Sequence, residues 1–396
     1  MNLFLCWFMI HLATKPARLL SLDVFRGIAI TAMILVNNPG SWDYIYPPLK
    51  HAKWHGCTPT DLIFPFFLFI VGVAMALSLS KYTPENRPTK IVYQRIIQRT
   101  LILFFLGLFL ALLSLTLDAL FNSKPFDIST LRIMGVLQRI ALCYFFASLI
   151  VLNFSQKKQW LIAAIILIGY WLALQFIPVP GYGTGNLSAN GESTLIAYLD
   201  RLILTPKHLL KPNPGFDPEG LLSTLPALVN VLIGYFTGSY LKQNTQPQNQ
   251  TCIQLIITGL SCLIIGHLWS YLFPLNKQLW TSSYVLYTSG WALLLLAALY
   301  YIIEIRNARK WAKFFEIMGL NAIFLFVGSG IVARFLIKTH IGTGEKTATT
   351  YTWIYQNLFL PWAGPLNGSL LFALCTIIFW FIILYFMYQK KWFFKI

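Results

Sequence analysis

The stretch LKHAKWHGCTPTDLIFPFFLFIVG, residues 49–72, sets His51, Trp54, His55 and Asp61 against the start of a long apolar run. Imidazole is the side chain that changes charge near neutral pH, so two of them at such a boundary point to proton transfer or nucleophilic chemistry. Asp61, ten positions after His51, offers a carboxylate that can orient the ring. Thr58, Pro59 and Asp61 also read as a helix start, with Thr58 as N-cap and Pro59 in the first turn. Capping therefore accounts for Asp61 as well as catalysis does. It does not account for two histidines in five residues.

Other polar groups stand where apolar ones are expected. Asp23 and Arg26 in SLDVFRGIAI are three apart, so they share a helix face and can pair; an interfacial anchor is the simpler reading. Asn37 and Asn38 close the same segment before Pro39 and Gly40, as a C-terminal cap or as donors to an oxyanion. Arg139 and Arg334 fall inside apolar segments, where an arginine normally faces a pocket or a partner. Asn230 and His267 are also embedded and need only bond a neighbouring helix. Arg95 and Arg99 share one helical face and can attract phosphates, although such cations are expected in any inside loop.

The elements that position these groups follow from composition. The chain has 396 residues, 57% hydrophobic and 11% charged, with mean hydropathy +0.64, which excludes a soluble domain. Runs near the length needed to cross a bilayer fall at 19–37, 61–80, 98–118, 133–152, 159–178, 222–241, 252–273, 279–303, 314–337 and 367–388. The expected fold is an all-α polytopic membrane bundle of about ten helices. Residues 1–17 form an uncertain N-terminal segment, without the charged start of a signal peptide, and 18–396 a single integral domain. The net charge of +17 sits mostly in alternate loops, so it reads as N-in/C-in orientation rather than nucleic-acid binding. On that orientation His51 and His55 lie on the outer face.

Two outer loops are long, at 179–220 and 338–366. The first carries TLIAYLDRLIL, a short amphipathic helix, and then NPGFDPEG with Asp217 and Glu219. Of six cysteines only Cys57 is expected outside, and no metal-type spacing occurs, so no bound metal is expected. The absence of Walker A, GxGxxG and GxSxG motifs disfavours an ATP-driven pump or a serine hydrolase.

Taken in order, LDVFRGIAI, VNNPG, LKHAKWHGCTPTDLIFPFFLFIVG, GVLQRIALCY, FDPEGLLSTLPALVNVLIGY and PLNKQLWTSSYVLYTSG resemble the heparan-α-glucosaminide N-acetyltransferase family, from about Arg18 to the last helix. The resemblance implies a bacterial-type homologue without the luminal N-terminal domain and extra helix of the animal enzyme, which also has Asn where this chain has His55. It implies acetyl transfer from cytosolic acetyl-coenzyme A, as cosubstrate, to a glucosamine-type amine across the membrane. On this resemblance the catalytic His falls on His51 and the active-site Asn on Asn37. A homodimer is suggested by the family alone.

From depth and charge, Asp61 or Asp23 is expected to orient the imidazole or acceptor, and Arg26 and Arg139 to meet the coenzyme with Arg95 and Arg99. Trp54, His55, Asp217 and Glu219 are expected on the acceptor side. The expected setting is a bacterial inner membrane with His51 facing the periplasm, amid lipid and without nucleic acid. The alternatives are an O-acyltransferase of a surface glycan and, from another class, a transporter of sugar or peptidoglycan fragments.

Overall fold

The computed structural model describes residues 19–82, 88–187, 191–213, 215–243, 247–342 and 347–394. The N-terminal segment 1–17 lies outside them, as do Arg18 and Arg87.

The apolar runs become helices because a chain in hydrocarbon must satisfy every backbone N–H and C=O within itself. The long ones are α1 (Leu20–Asn37), α2 (Ile63–Leu79, entered through a 3₁₀ turn at Pro59–Leu62), α3 (Lys90–Phe121), α4 (Val136–Asn153) and α5 (Gln156–Phe176). After the short α6 (Leu195–Leu204) come α7 (Thr224–Gln243), α8 (Gln248–Trp269) and α9 (Ser282–Tyr300), which runs on through a π turn to Ile305. Then α10 (Lys313–Leu320) and α11 (Ala322–Lys338) precede a two-residue hairpin of β1 (His340–Ile341) and β2 (Ala348–Thr349). The chain ends with α12 (Thr350–Ile354) and α13 (Leu360–Gln389), joined by a π turn.

Among the described residues nine helices are long and apolar enough to cross a membrane, and α10 with α11, bent by 75°, makes a tenth when taken as one span. Contacts at the two ends of this bent pair support one crossing. Lys313 bonds the Tyr388 hydroxyl near the end of α13, whereas Lys338 Nζ lies 2.6 Å from Asp118 at the end of α3. The bend is stabilised by Asn321, whose amide donates to the Trp392 carbonyl and accepts from the Phe394 N–H. All ten expected spans thus have counterparts. The expected loop at 338–366 is shorter, because 350–389 continues as helix through a kink at Gly364, where φ is +73°.

In the centre stands α7, with every residue from 226 to 239 buried, as expected of a helix apolar all round. It meets α2 with almost no side chain between the backbones: a Cβ added to Gly72 would lie 1.9 Å from the Val231 carbonyl oxygen, and one on Gly234 2.1 Å from that of Phe69. Small residues permit this approach, and dispersion then replaces the hydrophobic drive that lipid cannot supply between helices. Exposed Ile97, Leu101 and Phe105 on α3 and Ile257 and Ile264 on α8 give the periphery an apolar face.

Candidate active site

One end of the bundle collects the connections 38–62, 122–135, 177–223 and 270–281, together with the first turns of α4 and α9. His51 lies in the first of these, half exposed, with its Nδ1 2.6 Å from Asp61 Oδ1. A contact this short between a carboxylate and a ring nitrogen requires a proton between them. With that proton on Nδ1, a neutral ring keeps its lone pair on Nε2.

Asp61 is 1% exposed and divides its work between two oxygens. Its Oδ2 accepts from the N–H groups of Ala52 and Thr58 and from the Thr58 hydroxyl, each at 3.0 Å. These are the capping contacts of the 3₁₀ turn. Its Oδ1 holds His51, so capping and ring orientation coexist. The Tyr284 hydroxyl donates to the Asp61 carbonyl at 2.6 Å and ties the turn to α9.

A third group completes the cluster. Lys277 Nζ lies 3.1 Å from His51 Nδ1 and 3.5 Å from Asp61 Oδ1. Burial pulls the Lys277 pKa below its ordinary value, opposed by the carboxylates of Asp61 and Glu219. The tight turn around it is built by Asn276, whose Oδ1 accepts from Leu279 N–H and whose N–H donates to Thr281 Oγ1. Burial, then the Asp61 charge, push the Cys57 thiol up to about 12, so it stays protonated and is no competing nucleophile.

Around this trio lies a charged support. Arg132 grips Asp217 with two hydrogen bonds, of 2.8 and 2.7 Å, and reaches Glu219 at 2.6 Å. Burial works against the Arg132 charge, but the bonds and charges of the two carboxylates outweigh it and raise its pKa. Arg139, fully buried, donates to the Pro218 and Gly220 carbonyls and to Ser223, and lies over the Trp280 ring at 5.0 Å. Trp280 in turn bonds Asn230, whose amide also reaches Val285, Thr288 and Ser289, so Asn230 does tie neighbouring helices together.

Several expected site residues are placed differently. Asp217, wholly buried under Arg132 and the Leu210 and Glu219 N–H groups, cannot reach an acceptor. The Trp54 indole is also buried, packed on Phe216 and bonded to the Leu187 carbonyl, so it is not a sugar platform. Arg139 is enclosed by the 218–223 segment rather than offered to a coenzyme. Asp23 and Arg26 do pair, at 3.4 Å, at the opposite end of the bundle, fourteen residues of α1 or about 21 Å from Asn37; this takes Asp23 away from the imidazole and leaves Arg26 at the end that carries Arg95. His267 is exposed at the end of α8, its ring edge-on to Tyr271, rather than embedded.

The other expected residues lie as follows. Asn37 reaches the His51 end with its side chain exposed, because Asn38 does the capping, its amide bonded to the Ile34 carbonyl. His55 is exposed, with Asn276 Nδ2 3.4 Å from its Nδ1. Glu219 is partly exposed beside the trio. Towards the other end Arg95 is exposed, and Arg99 lies over Tyr144 at 4.6 Å with a buried Nε that has no hydrogen-bond partner among the described residues. Sequence reasoning overlooked Lys277 and Arg132. Both stand just ahead of apolar segments, in NKQLW and LRIMG, where a lone cation reads as an anchor. Among the described residues no group of three or more His, Cys, Asp or Glu is arranged to hold a metal ion.

Comparison with known proteins finds a match to the family described as heparan-alpha-glucosaminide N-acetyltransferase, catalytic, over residues 18–274. The chain is 28% identical to the human heparan-alpha-glucosaminide N-acetyltransferase over 98% of its own length and 61% of the relative's. The mouse protein of the same name is 28% identical over 96% of this chain and 60% of the relative. The chain thus spans about three fifths of the length of the curated relatives it matches.

Proposed function

The chain belongs to the heparan-α-glucosaminide N-acetyltransferase family, and from that membership we propose that it is a membrane acetyltransferase moving acetyl from acetyl-coenzyme A to an amino sugar. The observation that carries the proposal is the contact between His51 and Asp61. An imidazole with Nδ1 held by a buried carboxylate has Nε2 free to take a proton from an attacking amine. The amine nitrogen bonds the acetyl carbonyl carbon, the carbon–sulfur bond breaks, and Nε2 passes the proton to the departing thiolate. The remaining ammonium proton leaves to solvent. The same Nε2 can instead accept the acetyl group first and yield it to the sugar in a second step.

Asn37 is the proposed donor to the thioester oxygen as charge develops there. Arg95 and Arg99 are the cations proposed for the coenzyme phosphates, on the side away from His51. The orientation belongs to the same reading: the end opposite His51 carries Lys81, Lys90, Arg95, Lys157, Lys158, Lys242, Arg306, Arg309, Lys310, Lys390 and Lys391, which favours it as the cytoplasmic side. His51 then faces the periplasm of a bacterial inner membrane, where amino sugars of the envelope are the acceptors at hand.

The test is transfer of label from radiolabelled acetyl-coenzyme A to a panel of amino sugars by the detergent-purified protein, with His51→Ala alongside. Label on the amino group in wild type and none in the variant is expected. No transfer to any acceptor, alongside sugar uptake in proteoliposomes, refutes the enzyme reading. Label on a hydroxyl alone makes the protein an O-acyltransferase instead.

A further inference from the structure

We infer that Lys277 is a positioning residue for the His51–Asp61 pair, a fixed cation that keeps the imidazole in its free-base form. The inference rests on the acetyl-transfer reading above. It starts from three groups in mutual contact, brought from positions 226 residues apart: Nδ1 and Oδ1 at 2.6 Å, Nζ and Nδ1 at 3.1 Å, Nζ and Oδ1 at 3.5 Å.

A buried carboxylate beside a histidine, taken alone, draws a proton onto the ring and makes an imidazolium, which cannot act as a base. Lys277 removes that bias. Asp61 from the 3₁₀ turn and Lys277 from the 270–281 connection touch the ring, and Lys50 and Lys53 flank it on its own segment. Glu219 acts on Lys277, and behind it stand Asp217, Arg132, Arg139 and Asp200. His55 and Cys57 from the same segment and Tyr284 from α9 are the remaining titratable neighbours, and Cys57 is held as the thiol.

With Lys277 against both Nδ1 and Oδ1, the Asp61 carboxylate already has a cation while His51 is neutral. Protonating the ring sets a second cation 3.1 Å from Nζ, and both must then share Asp61 Oδ1. Without Lys277 the imidazolium has Asp61 Oδ1 to itself among the described residues, which favours the protonated ring. The lysine is well placed to hold this position: the Asn276 turn fixes its backbone, and the Trp280 N–H bonds the Lys277 carbonyl at 3.2 Å.

The test compares wild type, Lys277→Met and Lys277→Arg by the pH dependence of kcat/KM for acetyl transfer, with radiolabelled acetyl-coenzyme A and glucosamine. Removing a cation beside the ring should move the acid limb of the profile to higher pH by about one unit or more, and Lys277→Arg should leave it near the wild-type position. A limb unmoved in Lys277→Met, with activity scaled down evenly at all pH values, overturns the inference. So does Lys277→Arg moving the limb as far as Lys277→Met does.

Titration of the His51 ring by NMR in protein carrying labelled histidine gives a readout free of activity. Its midpoint should rise in Lys277→Met and stay in Lys277→Arg; an unchanged midpoint in Lys277→Met refutes the inference. Wild type that transfers no acetyl refutes the reaction instead. The ring titration still decides what Lys277 does to the imidazole.

Discussion

Replacing Asp61 with Asn keeps the shape of the site and removes its charge. The Asn oxygen can take the place of Oδ2 and still accept from the Ala52 and Thr58 N–H groups, so the cap survives. The amide nitrogen then faces His51 Nδ1, where a carboxylate stood at 2.6 Å. An NH₂ group can only donate there. The ring must accept on Nδ1, which sends its proton to Nε2 and removes the lone pair needed for the reaction. General-base assistance contributes about 10²–10⁴-fold, so kcat for acetyl transfer should fall by that factor, about 2.7–5.4 kcal/mol in barrier height.

Thermal unfolding in detergent should shift downward, because Lys277 loses its Asp61 counter-charge even though the turn keeps its hydrogen bonds. The assay is steady-state transfer of labelled acetyl to glucosamine for wild type, Asp61→Asn, His51→Ala and the double variant. If the carboxylate acts through the ring, the double variant is no slower than His51→Ala. The reasoning fails if Asp61→Asn stays within a few-fold of wild type. It also fails if the two losses multiply, since Asp61 would then act independently of His51.

Arg132→Met should destabilise the protein by about 3–5 kcal/mol, because it leaves Asp217, wholly buried, without its cation; a lowered unfolding temperature and faster proteolysis within 177–223 are the readouts. At Asp200, burial pushes the carboxyl up to about 6, against an opposing bond from Leu221 N–H. A folded-state pKa above the unfolded value favours the protonated form, so this group costs stability progressively as pH rises from about 4 through 6. Asp200→Asn should therefore raise the unfolding temperature at pH 7.5 and do nothing at pH 4, an outcome that equal shifts at both pH values would contradict. Gly234→Val should abolish monodisperse protein on size exclusion, since even a Cβ falls 2.1 Å from the Phe69 carbonyl oxygen. Gly169→Ala on α5, with nothing among the described residues within 4 Å of the new carbon, should leave folding intact or firmer by about 0.5–1 kcal/mol.

The spans were legible because the cost of exposing polar groups to hydrocarbon is local: each run of about twenty apolar residues declares itself without knowing its neighbours. The helix start at Thr58–Asp61 was equally local, and so was the pairing of Asp23 with Arg26. What one position says of another ended there. Asp217 and Glu219 looked alike in the sequence, two residues apart in a polar loop; packing sealed the first under Arg132 and left the second partly open. Trp54, beside two exposed histidines, turned inward onto Phe216.

By itself, then, the amino-acid order determined the class of the protein and the number and place of its spans, and singled out His51 as the candidate base, since hydropathy and short motifs depend on near neighbours. Tertiary structure alone decided that Lys277 and Tyr284 would meet His51 and Asp61. It also decided that the charges of 216–223 would be distributed between support and site. Those contacts join segments up to 226 residues apart. They exist because helices packed through glycine bring the connections at one end together, and no local preference of either segment encodes that meeting.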